Sequence, residues 1–163
     1  MKWVLVSLAI PVAMLLIVMI IGYLLPVEHH ASVKCTVNAT PEEVWKRLAD
    51  IGSYPVWRTN VKSVEITSPV SWMETNKRNE ELPFRILERR EPSKLVTVID
   101  DKSSPYGGSW EFDIQPANGK TLVTIIENGE VYNPFFRFVS KFILGHTVTL
   151  RTYADNLQRS FGH

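Results

Sequence analysis

His146 is the residue in this chain whose type and setting most readily offer chemistry. Advancing 100° per residue from Asn133-Pro134, Phe135, Val139, Phe142, Ile143, His146, Leu150, Tyr153 and Leu157 fall on one helical face. A histidine at the centre of that face is either a general acid/base, a grip for a polar ligand head group, or a core imidazole bonded on both nitrogens. A carboxylate partner would have to come from elsewhere. Strand alternation puts Glu74 on the face of Trp72 and Glu127 on the face of Val123 and Ile125. Arg85 shares the face of Leu87 rather than that of Phe84 and Ile86. Buried, a Glu74–Arg85 or Glu127–His146 pair would be a polar spot in apolar surroundings, as ligand sites are usually built. Exposed, the same charges are only a solvated face. Trp57, Trp72, Trp110 and Tyr153 either fill a core or line a pocket, and Val139 and Phe142 share the histidine's face. Arg58, beside Trp57, could meet an anionic group or form a surface ion pair.

Other chemistries find little support. Eighteen basic and seventeen acidic residues leave a net charge of +1, without the clustered basic face that nucleic acid would require. There is no glycine-rich phosphate loop, CxxC pair or HExxH. A single cysteine, Cys35, cannot form an intrachain disulfide. His29 and His30 have only Glu28 beside them, and adjacent side chains seldom converge on one ion, so neither a metal nor another cofactor is expected.

The elements that must position these residues follow from patterning. Trp3 to Leu25 is an uncharged stretch with aromatics near both ends. As a helix it reaches about 34 Å, enough for a hydrocarbon core of about 30 Å. A cleavable signal peptide would have an apolar core of about 7–15 residues and a small-residue cleavage site, which LLPVEHHAS lacks. A retained single-pass anchor over 1–27 is therefore expected, with one domain at 28–163. Lys2 and the α-amine favour an inside N-terminus, which puts the domain on the extracytoplasmic side. The bilayer, through residues 3–25, is then a partner.

In the remainder, Val33, Cys35 and Val37 alternate as in a half-buried strand. ATPEEVWKRLAD starts a helix with Thr40 as cap, Pro41 at the first position and Glu43 completing a capping box. SYPVW is a turn or short irregular helix. From Val61 to Val131, six strand-like segments alternate with turn residues, and Gly129 is a candidate bulge. Arg137, Lys141, Arg151, Asp155 and Arg159 oppose the apolar face of the last helical pattern, which rules out a second membrane span. This order predicts an α+β fold: a curved antiparallel sheet wrapped around a long C-terminal helix, preceded by one transmembrane helix.

ATPEEVWKRLADIGSYPVW, GGSWEFDI, TIIENGEV and the terminal amphipathic helix together resemble the START-related, Bet v 1-like superfamily (helix-grip fold), in particular its polyketide cyclase/dehydrase-like branch. The similarity runs from Val33 to about Leu157. It implies a hydrophobic or amphiphilic small molecule, lipid-like, held between sheet and helix, and supplies no catalytic motif. The expected function is a membrane-anchored binding module, a reading that needs no catalytic group. The alternatives are a cyclase- or hydrolase-type enzyme using His146 with a pocket carboxylate, and an accessory subunit of a membrane complex.

Overall fold

The computed structural model describes residues 2–101, 103–145 and 147–162, with side chains from Ile10 onward except Leu144. Helix α1 (Lys2–Leu24) leads directly into strand β1 (Glu28–Val37), helix α2 (Pro41–Ala49), a 3₁₀ turn (Ile51–Ser53) and the single-turn helix α3 (Tyr54–Trp57). Six strands follow: β2 (Val61–Ser68), β3 (Ser71–Asn76), β4 (Glu81–Arg90), β5 (Lys94–Ile99), β6 (Tyr106–Ala117) and β7 (Lys120–Val131). Helix α4 (Pro134–Val139), a π turn (Ser140–Leu144) and helix α5 (Val148–Arg159) complete the chain. Among the described residues no helix is long and apolar enough to cross a membrane.

All seven strands form one antiparallel sheet in the order β1-β7-β6-β5-β4-β3-β2. The α+β, helix-grip-like arrangement expected from the patterning is present. Local chemistry sets its joints. Asn118 and Gly119 both take positive φ (49° and 76°), which lets a two-residue turn join β6 to β7 with Ala117 opposite Lys120. Thr40 Oγ1 accepts from Glu43 N while Thr40 N donates to Glu43 Oε2 at 2.8 Å, so two donors at the start of α2 are satisfied. Val44, Trp45 and Leu48 of α2, with Leu150, Ala154 and Leu157 of α5, are buried against the concave face. That face contributes Val37, Trp72, Ile86, Leu95, Phe112, Ile114, Val123 and Ile125 to the core.

Two sequence expectations are corrected. The last helical pattern is not one helix. Gly145, at φ 76°, separates α4 and the π turn from α5, and no described side chain of α4 is buried. A 3.6-residue period continues across a break of this kind, so phasing alone could not detect it. Gly129 does not mark a bulge either, because β6 and β7 stay in register through Gly108↔Gly129. A side chain at Gly129 would instead collide with the His29 ring on β1.

Candidate functional site

The concave face carries a buried ion pair at one side and a second carboxylate at one end, joined by aromatic rings. Arg58 follows α3 directly, and Glu74 lies inward on β3. Their side chains are 10% and 7% exposed, and the bond is bidentate: Nη1 to Oε2 at 2.7 Å and Nη2 to Oε1 at 3.1 Å. The guanidinium is clamped between the Tyr54 and Tyr153 rings, 4.8 and 4.7 Å from their centroids. Burial works against the charge on Arg58, yet neighbouring Tyr153, Glu74 and Tyr54 hold its pKa above the usual arginine value. Burial raises both phenols, Tyr54 well above its ordinary value and Tyr153 to about 12, so both are neutral at pH 7. Tyr54 donates to Leu48 O at 2.8 Å. Asn156 of α5 donates to Thr59 Oγ1 at 3.2 Å, which ties the segment next to Arg58 to the covering helix.

From this pair the aromatic strip runs along the sheet. Trp57 meets Tyr153 edge-on at 5.5 Å, and Tyr153 meets Phe112 at 5.0 Å. Tyr54 meets Trp72 edge-on, Trp72 stacks on Phe84 at 5.3 Å, and Phe84 meets Trp110 at 5.9 Å. Trp57, Trp72 and Phe112 are buried, whereas Phe84 and Trp110 are only partly so. Opposite Trp110 stands Glu127, with His29 Nε2 3.7 Å from its Oε1. Burial pushes the Glu127 carboxyl up to about 7, and the Trp110 indole bonding to it works the other way.

Five buried polar atoms on this face have no hydrogen-bond partner of good geometry: Trp57 Nε1, Trp72 Nε1, Arg58 Nε, Tyr153 Oη and Glu127 Oε2. Leaving such groups unpaired costs about 1–3 kcal/mol each, so their concentration on one strip is what a site for a polar-headed ligand would show. Three are N–H donors, which match an acceptor oxygen.

Of the residues singled out in the sequence, Trp57, Trp72, Glu74, Trp110, Glu127 and Tyr153 lie on this strip. Arg85 does not. It is on the outer face, bonded to Asp100 at 3.1 Å, so the Glu74–Arg85 pair is replaced by Arg58–Glu74 and the surface role considered for Arg58 is corrected. Val139 and Phe142 sit on α4 and the π turn, beyond the Gly145 break, and Phe142 is 59% exposed. His146 lies outside the described residues. Sequence reasoning missed Tyr54, the pairing of Arg58 and the inward His29. The alternation His29–Ala31–Val33–Cys35 along β1 was the signal for His29. Among the described residues, no group of three or more His, Cys, Asp or Glu side chains is placed to hold a metal ion.

Two further clefts lie elsewhere, against α5. One is lined by Thr36, Lys120, Asp155 and Arg159, the other by Val33, Cys35, Arg151 and Asp155. Both are open to solvent, and no residue of the strip lines either.

Comparison with known proteins gives the fold its relatives. The structure resembles a START superfamily protein from Mycobacterium smegmatis at 17% identity, covering 82% of this chain and 97% of that one with a TM-score of 0.66. A conserved protein from Geobacillus kaustophilus is similar at 16% identity, 82% and 94% coverage and a TM-score of 0.66. So is norcoclaurine synthase from Thalictrum flavum, at 14% identity, 84% and 88% coverage and a TM-score of 0.64. Curated proteins offer no match. The family model described as "Polyketide cyclase / dehydrase and lipid transport" matches residues 28–160, the sheet and every helix that packs on it, and the chain belongs to that family.

Proposed function

We propose that the chain is a membrane-anchored binding module for a hydrophobic or amphiphilic small molecule, lipid-like in character, held along the aromatic strip between the sheet and α5. The observation that carries this reading is the set of unpartnered buried polar atoms among stacked rings. An apolar body lies on Trp72, Phe84 and Trp110, and an acceptor group reaches the indole and guanidinium N–H groups. The proposed anchor rests on the sequence: Trp3 to Leu25 carries no charge and as a helix would reach about 34 Å. Lys2, on the N-terminal side of the apolar stretch, favours the cytoplasmic side, and the domain is then outside. Native mass spectrometry of the full-length protein released from mild detergent tests the reading. A bound amphiphile, or binding of an added hydrophobic probe, is expected. A bare protein that binds neither would remove its basis.

One observation favours a second reading, an acid–base enzyme of the cyclase or hydrolase type. A carboxyl that titrates near pH 7 beside an imidazole suits proton transfer at neutral pH. If Glu127→Gln keeps ligand binding but stops conversion of the bound molecule, this reading replaces the first.

A further inference from the structure

Helices α1 and α4 meet at a glycine. A side chain at Gly22 would collide with the Pro134 carbonyl, so the two backbones touch there. Asn133 caps α4, its Oδ1 accepting from Phe135 N at 2.9 Å. One turn on, Arg137 reaches back over the end of α1. Its Nη1 donates to Leu25 O at 2.8 Å and Tyr23 O at 3.4 Å, and its Nη2 donates to Tyr132 O at 3.0 Å. A helix C-terminus leaves carbonyls unsatisfied and carries partial negative charge, and one guanidinium answers both. Thus α4 is fixed to the end of α1.

What α4 presents outward is apolar. Phe135 and Phe136 are exposed, Phe142 is 59% exposed and Ile143 is 67% exposed, with exposed Lys141 among them. Position supplies the occupant. Gly22 lies about 30 Å along the α1 axis from Lys2, which matches the thickness of the hydrocarbon core. A helix attached at that depth lies at the boundary between acyl chains and headgroups, where phenylalanines and a lysine that reaches toward phosphate belong. Both helices also leave the sheet at one end, where Val131 N donates to Val27 O at 2.9 Å. His29 and Glu127, at the partly exposed end of the aromatic strip, are on the neighbouring rungs of that ladder.

We propose that Pro134–Leu144 is an interfacial foot that rests in the surface of the phospholipid bilayer and turns the open end of the strip toward it. The ligand class is thereby narrowed to molecules that partition into the membrane and enter from it. This rests on α1 being the membrane anchor.

The test is spin-label accessibility in the full-length protein, reconstituted into vesicles of phosphatidylcholine and phosphatidylglycerol. Labels are placed singly through Ile143→Cys, Ile17→Cys and Val56→Cys. Native Cys35 is buried, with its thiol pushed up to about 11 by burial, so it does not compete for label. All three target positions are exposed, so labelling leaves packing intact. The label at 143 is expected to be reached by dissolved oxygen severalfold better than by a water-soluble nickel complex, as at 17 and unlike 56. Nickel access at 143 with oxygen access at 17 overturns the foot and leaves the anchor. Nickel access at 17 overturns the anchor itself. A label at 143 shielded from both reagents also overturns the foot, and identifies the patch as a contact between copies of this chain.

Discussion

Removing Glu74 is the sharpest test of how the site is held. In Glu74→Ala the guanidinium of Arg58, 10% exposed in the intact pair, keeps its two tyrosine faces but loses both carboxylate bonds. Breaking a buried pair from one side costs about 3–5 kcal/mol, because the remaining charge has no partner. For a domain of roughly 130 residues, about 4 °C of Tm accompanies each kcal/mol, so a fall of about 12–20 °C is expected. The double variant Arg58→Met/Glu74→Leu removes both charges and keeps the volume, and should fall within about 1 kcal/mol of the parent. Thermal unfolding followed by near-UV circular dichroism gives both values, and adding the single variants Arg58→Met and Glu74→Leu closes a cycle whose coupling is several kcal/mol if the pair acts as a unit. A loss below about 1 kcal/mol in Glu74→Ala would refute the reasoning, since that is how a solvated surface pair behaves. The double variant also separates recognition from stability. If it is as stable as the parent yet no longer binds a hydrophobic probe with an acceptor head group, the pair is kept for recognition.

Other expectations follow from single residues. Glu127 binds its proton more tightly folded (pKa about 7) than unfolded (4.5), so its stabilising contribution is complete below about pH 4.5 and lost as pH rises through 7. Melting temperature between pH 5 and 8 should reveal a loss of about 2–3 kcal/mol that Glu127→Gln abolishes. Gly108→Ala should be more damaging than Gly129→Ala: Gly108 has φ 123° and its new methyl would meet the Asn128 carbonyl, whereas at Gly129 only the His29 ring must move. The latter should cost about 1–3 kcal/mol and weaken whatever depends on the His29–Glu127 contact, read by melting and by the pH profile. Gly22→Leu should separate α4 from α1 while the sheet stays intact, seen as faster amide exchange confined to 134–144.

The strands were legible because alternation reports a two-residue period directly. Trp72 and Glu74 share the concave face, and Val123, Ile125 and Glu127 do likewise, as parity required. The capping box at Thr40 was equally plain, since its chemistry is complete within four residues. Partners distant in sequence were not legible. Arg58 and Glu74 are brought together only by where α3 ends over β3, and no local rule ranks Arg58 above Arg85 for that role. The register of β1 on β7, which puts His29 beside Glu127, is likewise a property of the assembled sheet. The broken helix shows the limit of periodicity from the other side. The period runs on in the sequence across Gly145, but the helix does not, and Val139 and Phe142 end on different elements from Tyr153.

The place of β1 has a mechanical consequence. The strand that continues from α1 lies at one edge of the sheet, but it is paired along ten residues with β7, from Glu28↔Glu130 to Val37↔Thr121. Antiparallel bonds run perpendicular to the strands. A tug on α1 along the strand axis therefore loads that ladder in shear, with many bonds sharing the force at once rather than opening in turn like a zipper. Arg137 and the Gly22–Pro134 contact add a second tether that bypasses β1 altogether. Force applied to the helix therefore meets two loaded attachments rather than one edge strand alone.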